Sequence, residues 1–577
     1  MTLSTLCSTL IMDIGDVLFT WSPVTTTSIK PRQLKAILNS PTWHTYECGR
    51  LDEEECYKRV GVNFSLDPAE IRQAFQDARD SMKADNHLIS FLRELKAQSG
   101  GQLRIFAMSN ISAPDYEILK TKDADWSIFE HIFTSAAAGA RKPSRSFYRH
   151  VLAKSGTDPA TTVFVDDKPE NVLAARAVGL NAIVFDDLAR VQRALRNYVG
   201  NPAARARVYL NERAGKHNSV TDTGITVDDN FCQLLIFEAT RDPSLVNYQE
   251  PLHKWNYFKN PVQSEGIFPC DLDTTSIGMT VTNPQSDALE HVLNEMLQYR
   301  DEEDIVMTYF DWERPRTDPV VCVNVLTLFY SQGRGADLVQ TLDYVHDVLL
   351  HRAYQDGTRY YVLAESFLFF TARLLQSTTD PDLHARLGPL LVERLQERVG
   401  ASGDALALAM RVLACAVVGI RDVVDARVLR MMQEEDGGWP VGWFCRNGKT
   451  GIKIGNRGYT TALAMNALIM AEGPLPLPAS LPPAYATPNL RISTAAALSL
   501  NLSPTYSSPP SPEPTNSPIL ISRPKSPFSR RLGHRRLSSV SEIAKSMLTT
   551  ILAWEGSRSR KGKLDTMEGD NLMCASP

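Results

Sequence analysis

The 577-residue sequence contains no C-x-x-C pair, and its nine cysteines are odd in number and scattered. That argues against a cysteine zinc site, a dithiol redox pair and a disulfide framework. No apolar run reaches the ~18 uninterrupted residues of a membrane span. Positive charge is not in excess: 61 Lys and Arg face 66 Asp and Glu, for a net charge of −5. A globally basic nucleic-acid binder is therefore disfavoured, although a local anion site is not. The apolar stretch at Leu10-Ile11-Met12 is cut at once by Asp13 and Asp16. It has neither the charged start nor the long apolar centre of a secretory signal. A reducing, cytoplasmic setting is expected, with no nucleic-acid partner and no stable membrane insertion.

What is present is enough for several domains. Ordinary domains run to ~100–200 residues, and 43% of this chain is apolar. Proline is concentrated in one place: fourteen of the 34 fall between Pro474 and Pro527. A stretch so rich in Pro and Ser cannot carry helix or strand ladders, so residues 474–577 read as a disordered tail. The tail is basic at Arg530, Arg531, Arg535 and Arg536, and amphipathic near Ile543 to Trp554. The simplest reading of these features is a solubilising extension.

Residues 1–200 alternate short apolar runs with helical patterns. Leu10-Ile11-Met12, Ile105 to Met108, Val163-Phe164-Val165 and Ala182 to Phe185 read as buried strands. Strand–helix alternation predicts a parallel α/β sheet of Rossmann-like type. A linker is expected over 201–224. From 225 to 473 the period becomes helical: Leu289, Val292, Leu293, Met296 and Leu297 share one face, as do Leu363, Phe367, Phe370 and Leu374. At least six such segments follow one another, which predicts an all-α domain, a barrel of stacked helical hairpins.

Three predicted strands end in chemistry. The first delivers Asp13, the second Ser109-Asn110, and the third Asp166-Asp167; Lys142 precedes a further helix. Ligands of parallel sheets bind outside the carboxyl ends of the strands. One carboxylate to attack phosphorus, an acidic pair for Mg²⁺, and a lysine and a hydroxyl for the phosphoryl oxygens make a set suited to phosphoryl transfer. The order and spacing resemble those of the haloacid dehalogenase-like hydrolases. The resemblance implies that Asp13 is the nucleophile, that Ser109, Asn110 and Lys142 bind phosphate, and that Asp13, Gly15, Asp166 and Asp167 form the metal site. It also implies a helical cap over about 25–95. One departure stands out. The family usually places a second aspartate two residues after the nucleophile, as general acid, and here that position is Gly15. Loss of the outer phosphate of a diphosphate releases a phosphate monoester, a good leaving group. The second step releases an alkoxide, for which an acid matters more. Faster loss of the first phosphate is expected.

The second constellation is Asp271-Leu272-Asp273-Thr274-Thr275. Two carboxylates in apolar surroundings cannot easily both ionise, so one keeps its proton. A loop metal site or a helix N-cap is the bland alternative. Downstream, Gln433-Glu434-Glu435-Asp436-Gly437-Gly438-Trp439 resembles the Gln/Trp motif of class II terpene cyclases and squalene-type cyclases. The Asp-x-Asp-Thr-Thr form is similar to that of drimane-type sesquiterpene cyclases fused to a haloacid dehalogenase-like domain. By that resemblance Asp273 donates a proton to an alkene, Asp271 supports it, and Thr274 and Thr275 orient the pair.

The resemblance further implies farnesyl diphosphate as substrate. Protonation drives two ring closures to a drimane diphosphate of albicanyl or drimenyl type, and dephosphorylation gives the monophosphate or an alcohol, with albicanol expected ahead of drimenol. Cation-stabilising aromatics are sought among Trp255, Tyr257, Phe258, Phe310, Trp312, Tyr360, Tyr361, Phe367, Phe370, Trp439, Trp443 and Tyr459, with Trp312, Trp439 and Trp443 favoured for the polar motifs beside them. Arg314, Arg316, Lys453 and Arg457 are candidates for the diphosphate. Three rival readings remain at this level: a metal-dependent ionising cyclase using Asp301-Glu302-Glu303-Asp304, a small-metabolite phosphatase with a helical regulatory module, and a prenyl-lipid binding or scaffold protein.

Overall fold

The computed structural model describes residues 7–263, 266–284 and 286–473. The proline-rich tail and its basic and amphipathic segments lie outside the described residues. The α/β and helical regions fall in one compact unit; a second unit includes Val262–Ile267, where Val262–Gln263 pairs antiparallel with Gly266–Ile267.

The α/β region is built on five parallel strands: β1 (Thr9–Met12), β2 (Arg104–Ser109), β3 (His131–Thr134), β4 (Thr162–Asp166) and β5 (Asn181–Val184), in the order β3-β2-β1-β4-β5. β1 is buried at every position, as befits a central strand covered on both faces. One face packs against Leu88, Leu92 and Val191, the other against Phe147, Val151 and Val172. The sequence reading anticipates all of these strands except β3. His131–Thr134 is too short and too exposed at its first residue to stand out as an apolar run.

The cap is smaller than the expected 25–95. It consists of α1 (Pro31–Leu38), α2 (Pro41–Glu47), α3 (Glu53–Phe64) and α4 (Pro68–Asp80), with a core of its own around Trp43, Tyr57 and Phe75. Each of the last three helices opens on a Ser or Asp whose side chain accepts from a backbone N–H of the first turn, supplying a partner that helix ends lack.

The expected linker over 201–224 is instead structured. Pro202–Glu212 is helical and Ser219–Thr221 is a strand. Neighbouring Pro202 and Asn201 supply a helix start that a composition-based boundary overlooks.

The helical region is a closed ring of six helices: α5 (Phe231–Thr240), α6 (Leu272–Thr282), α7 (Pro319–Ser331), α8 (Ala364–Ser377), α9 (Ala405–Val417) and α10 (Arg457–Glu472), each packed on the next and α10 back on α5. Helices Val339–Leu350, Pro381–Arg398 and Val423–Met431 lie outside the ring. α7 is buried over ten successive residues, the signature of a helix enclosed on all sides. The region is not purely helical. A four-stranded sheet that includes Ser219–Thr221, Gly442–Arg446 and Lys453–Asn456 lies in the same region. No helix among the described residues is long and apolar enough to cross a membrane.

Candidate functional site

Two sites emerge. The first lies at the carboxyl ends of β1, β2 and β4. Asp13 directly follows β1, and its N–H donates to Val165 O at 2.8 Å. Lys142 is buried, and its Nζ lies 2.6 Å from Asp13 Oδ1, 2.7 Å from Asp166 Oδ2 and 3.1 Å from Met108 O. Burial pushes the Asp13 carboxyl up to about 7 against the pull of Lys142. Burial also acts on Asp166, but Lys142, the Lys168 N–H and Asn171 outweigh it and hold that carboxyl below its ordinary value. Burial lowers the affinity of Lys142 for its proton, and the two carboxylates more than restore it.

Asp13, Asp166 and Asp167 offer carboxylate oxygens within 4.8 Å of one another. Asp167 Oδ1 is buried without a hydrogen-bond partner among the described residues. An all-carboxylate set with an unsatisfied buried oxygen fits a hard divalent cation. Ser109 is buried at the end of β2 and lines the same cavity. Asn110 has a different job from the expected one. Its Oδ1 accepts from Lys142 N at 2.7 Å and its Nδ2 donates to Lys142 O at 3.0 Å. The amide is spent on holding the lysine's loop rather than on substrate. At Gly15, no atom lies within 4 Å of where a Cβ would stand.

The cavity above this cluster has a volume of about 240 Å³. The cap contributes Leu38, Trp43 and Phe75 to its wall, and Trp21 and Ile111 join them. Its wall therefore combines charged and apolar side chains.

The second site lies where the amino ends of α6, α7 and α8 meet. Asp271 caps α6: its Oδ1 accepts from Thr274 N at 2.6 Å. Asp273, in the first turn of α6, receives two side-chain donors. Asn324 Nδ2 reaches its Oδ1 at 2.8 Å, and the Tyr361 hydroxyl reaches its Oδ2 at 2.5 Å. A helix amino end favours carboxylate, yet burial wins here. It pushes Asp271 up to about 7, with repulsion from Asp273 adding to the shift, and Asp273 up to about 6, against the pull of Tyr361 and Asn324. Both anions have donors; what sets Asp271 apart is the repulsion from Asp273 that adds to its burial, whereas Tyr361 and Asn324 favour the Asp273 anion.

Sequence reasoning missed Asn324, an isolated amide in an apolar helix. A polar residue at a position buried on all sides is the signal that could have found it. Tyr361 was one aromatic among many. Its ring meets Phe231 at 6.5 Å and Phe370 at 5.9 Å, and Phe231 stacks with Phe444 and Tyr257. The acid thus sits beside a cluster of aromatic faces.

The other expected residues divide. The Thr274 N–H serves Asp271, whereas Thr275 serves Trp255: its hydroxyl accepts from Trp255 N at 3.0 Å and lies 3.3 Å from Trp255 O. Gly278, one turn on, leaves room for that indole; a Cβ there would stand 2.4 Å from Trp255 Nε1. Arg316 lies beside the phenols of Tyr360 and Tyr309, and Tyr309 bridges to Asp271 through the backbone. Arg314 pairs with Asp311 at 3.4 Å and stands over the Phe268 ring. Both arginines are thus near the acid's end of the ring.

Four other expected residues are placed differently. Trp439 is fully buried, and its indole N–H donates to Leu429 O at 2.7 Å, on the outer helix Val423–Met431. It is core, not cavity wall. Arg457 is held by Glu434 and Asp436, and its Nε donates to Trp439 O. It fastens the Gln/Trp segment and has no charge to spare. Trp312 is 60% exposed and stacks on Tyr299. Lys453 is exposed on its strand. The acidic run near Asp301 is a self-bonded turn: Asp301 Oδ1 accepts from Glu303 N and Ile305 N, and Asp304 pairs with Arg300.

Comparison with known proteins matches both halves. Residues 34–179 match the haloacid dehalogenase-like hydrolase family, and residues 203–332 match the sesquiterpene cyclase astC-like C-terminal domain. The chain is 43% identical over 460 residues to the drimenol cyclase drtB of Aspergillus calidoustus, covering 80% of this chain and 87% of that one. The chain belongs to the fused hydrolase–sesquiterpene cyclase family. Its amino-terminal part is also 40% identical to the sesquiterpene phosphatase astK of Aspergillus oryzae, over 33% of this chain and 95% of that one. A solved structure of a predicted haloacid dehalogenase-like hydrolase from Porphyromonas gingivalis is 22% identical, covers 33% of this chain and 98% of that one, and has a TM-score of 0.27. This chain joins an α/β hydrolase domain to a helical cyclase domain.

Proposed function

We propose that the chain cyclises farnesyl diphosphate by protonation and then removes phosphate from the bicyclic product. The observation that carries the cyclase half is the buried Asp273 carboxyl with Asn324 and Tyr361 aimed at it. In its protonated form Asp273 delivers H⁺ to the distal alkene. The π electrons form the new C–H bond, and the resulting cation is taken up by two successive ring closures. The aromatic faces of Tyr361, Phe231 and Phe370 stabilise positive charge without offering a nucleophile. Asn324 and Tyr361 hold the carboxylate that remains. Proton loss from the drimanyl cation then gives a drimane diphosphate. The similarity to a drimenol cyclase supports the drimenyl skeleton, through ring-proton loss, over the albicanyl skeleton expected first.

In the hydrolase half, Asp13 attacks the outer phosphorus and the bridging P–O bond breaks. A phospho-aspartate forms and the terpenyl monophosphate leaves. Water then cleaves the acyl phosphate. Lys142 holds Asp13 in place and, with Ser109, faces the phosphoryl oxygens. Asp13, Asp166 and Asp167, with the Gly15 carbonyl, would hold Mg²⁺, which when bound offsets the charge of those oxygens.

The test is a pair of variants assayed with farnesyl diphosphate, with products identified by mass. Asp273→Asn is expected to abolish bicyclic products and Asp13→Asn to leave cyclised diphosphate. A bicyclic product from Asp273→Asn sinks the cyclase reading.

A further inference from the structure

The hydrolase cavity carries more positive charge than its phosphoryl site uses. Arg79, Arg141, Lys142 and Lys168 all line it. Lys142 is committed to Asp13 and Asp166. Arg79 is committed to Glu53 at 2.5 Å and Asp115 at 2.6 Å. That leaves Arg141 and Lys168.

Arg141 pairs with a carboxylate supplied by the cap, and the charge of Lys168 acts on the same group. Glu47 is the last residue of α2, and its backbone carbonyl accepts from Ser135 Oγ at 2.6 Å, which fixes this end of the cap to the α/β domain. Its side chain is buried in the cavity wall. Oε2 accepts from Arg141 Nε at 2.9 Å and Oε1 from the Trp43 indole N–H at 3.2 Å. Lys168 makes no ion pair among the described residues, and its charge acts on Glu47. Burial raises the Glu47 pKa, and Arg141, Trp43 and Lys168 oppose it. Arg141 and the Trp43 indole N–H bind the carboxylate directly, and Lys168, on the wall of the same cavity, acts on it by charge; a phosphate entering there would find those two donors and a second cation nearby. Arg141 is adjacent in sequence to Lys142, and Asn110 pins the backbone between them, so this site is tied to the phosphoryl site.

We propose that Arg141 and Lys168 form a second anion subsite, held in the resting protein by Glu47, that takes the phosphate remaining on the substrate when Asp13 attacks the outer one. The inference rests on the reading of Asp13 as nucleophile. A diphosphate ester displaces the Glu47 carboxylate and fills both positions; a monophosphate fills one. The hydrolase then prefers diphosphates and releases monophosphates, independently of what stands at residue 15. Glu47 is the gate: its carboxylate must swing away for the second phosphate to enter, and it returns when the monophosphate leaves.

The test uses the full chain with Mg²⁺, and geranyl diphosphate and geranyl monophosphate as probes, following phosphate release. Arg141→Gln is expected to lower kcat/KM for the diphosphate by about 10–100-fold while changing the monophosphate value by less than about threefold. Glu47→Gln keeps an oxygen for Trp43 and removes the resident anion. It is expected to lower KM for the diphosphate by about 3–10-fold and leave the monophosphate KM unchanged. Equal losses on both probes in Arg141→Gln, together with no fall in diphosphate KM in Glu47→Gln, overturn the subsite and assign the trio to cap docking. Asp13→Asn separates this from the underlying reading: phosphate release that survives it removes the nucleophile assignment, whatever Arg141 does.

Discussion

Asn324 Nδ2 donates to Asp273 Oδ1 at 2.8 Å, joining the second turn of α7 to the first turn of α6. An amide N–H favours the carboxylate over the acid, so this contact makes Asp273 a stronger proton donor than burial alone would leave it. The Tyr361 hydroxyl acts on the other oxygen in the same sense. Hydrogen bonds to a charged group contribute about 1.5–3 kcal/mol. Asn324→Ala and Tyr361→Phe are each expected to slow cyclisation by about 10–100-fold. Phosphate release from geranyl diphosphate should be unaltered, because the hydrolase site is built from other residues. Single-turnover formation of bicyclic product is the measurement. Unchanged rates in both variants would mean that the acid does not depend on its donors.

Acid strength sets a pH limit on the reaction. Asp273 must be protonated to act, and its pKa is raised to about 6. Cyclisation is expected to fall as pH rises through about 6. Stability follows the same sign. A carboxyl whose folded pKa is raised contributes stability that is complete below the unfolded value and is lost as pH climbs through the folded value. For Asp271 that window runs from 3.8 to about 7. Asp271→Asn keeps an oxygen for the Thr274 N–H and never ionises. Its melting temperature relative to the unaltered protein should be higher at pH 8 than at pH 4. A difference that is flat across that range would remove the buried-acid account of Asp271.

Gly15 adds a separate, leaving-group contribution to the division of labour in the hydrolase. With no side chain there, nothing at that position protonates the leaving oxygen, and the space where a Cβ would stand is open. Its φ is not in the left-handed region, unlike that of Asp16, so a side chain meets no backbone penalty. Gly15→Asp is expected to speed hydrolysis of geranyl monophosphate by about 10–100-fold, below the full range for a well-placed general acid. The diphosphate step should gain far less. Mass analysis of the products should shift from monophosphate towards alcohol. An equal gain in both steps would argue that leaving-group protonation is not what limits the second.

Much of this was legible in the sequence because the chemistry sits at strand and helix ends. Asp13, Ser109 and Asp166 each close a run of buried apolar residues, and a parallel sheet gathers such ends at one edge. Asp271 and Asp273 were legible for the same reason, at the start of a helix. What was not legible depends on tertiary contact. Asn324 lies 51 residues from Asp273 in a helix whose other side chains are nearly all apolar, and only the closing of the ring brings them together. Glu47 and Arg141 are 94 residues apart, on the cap and the α/β domain. Trp439 and Arg457 misled in the opposite direction. An aromatic and a cation beside a recognisable motif read as ligand groups, but the barrel had used both for its own closure.

That use makes the last prediction. Arg457 opens α10, and its guanidinium reaches Glu434, Asp436 and the Trp439 carbonyl. The same segment is fixed from the other side: Gln433 Nε2 donates to Pro202 O at 2.9 Å and to Gly437 O at 2.8 Å, and Arg205 Nη2 donates to Glu434 O at 2.6 Å. The Gln/Trp segment is thus a clasp joining the last ring helix to the helix that begins the domain. Removing the arginine takes away the cation that Glu434 and Asp436 share and leaves Arg213, 3.2 Å from Asp436, as the remaining counter-ion, a cost of about 1–3 kcal/mol for a partly exposed cluster. Arg457→Ala should lower the Tm by several degrees and leave the KM for farnesyl diphosphate within about twofold. If Arg457 instead anchored the diphosphate, the Tm would hold and the KM would rise about tenfold or more. The two outcomes lie on different axes, so thermal unfolding and steady-state kinetics on one variant decide between clasp and anchor.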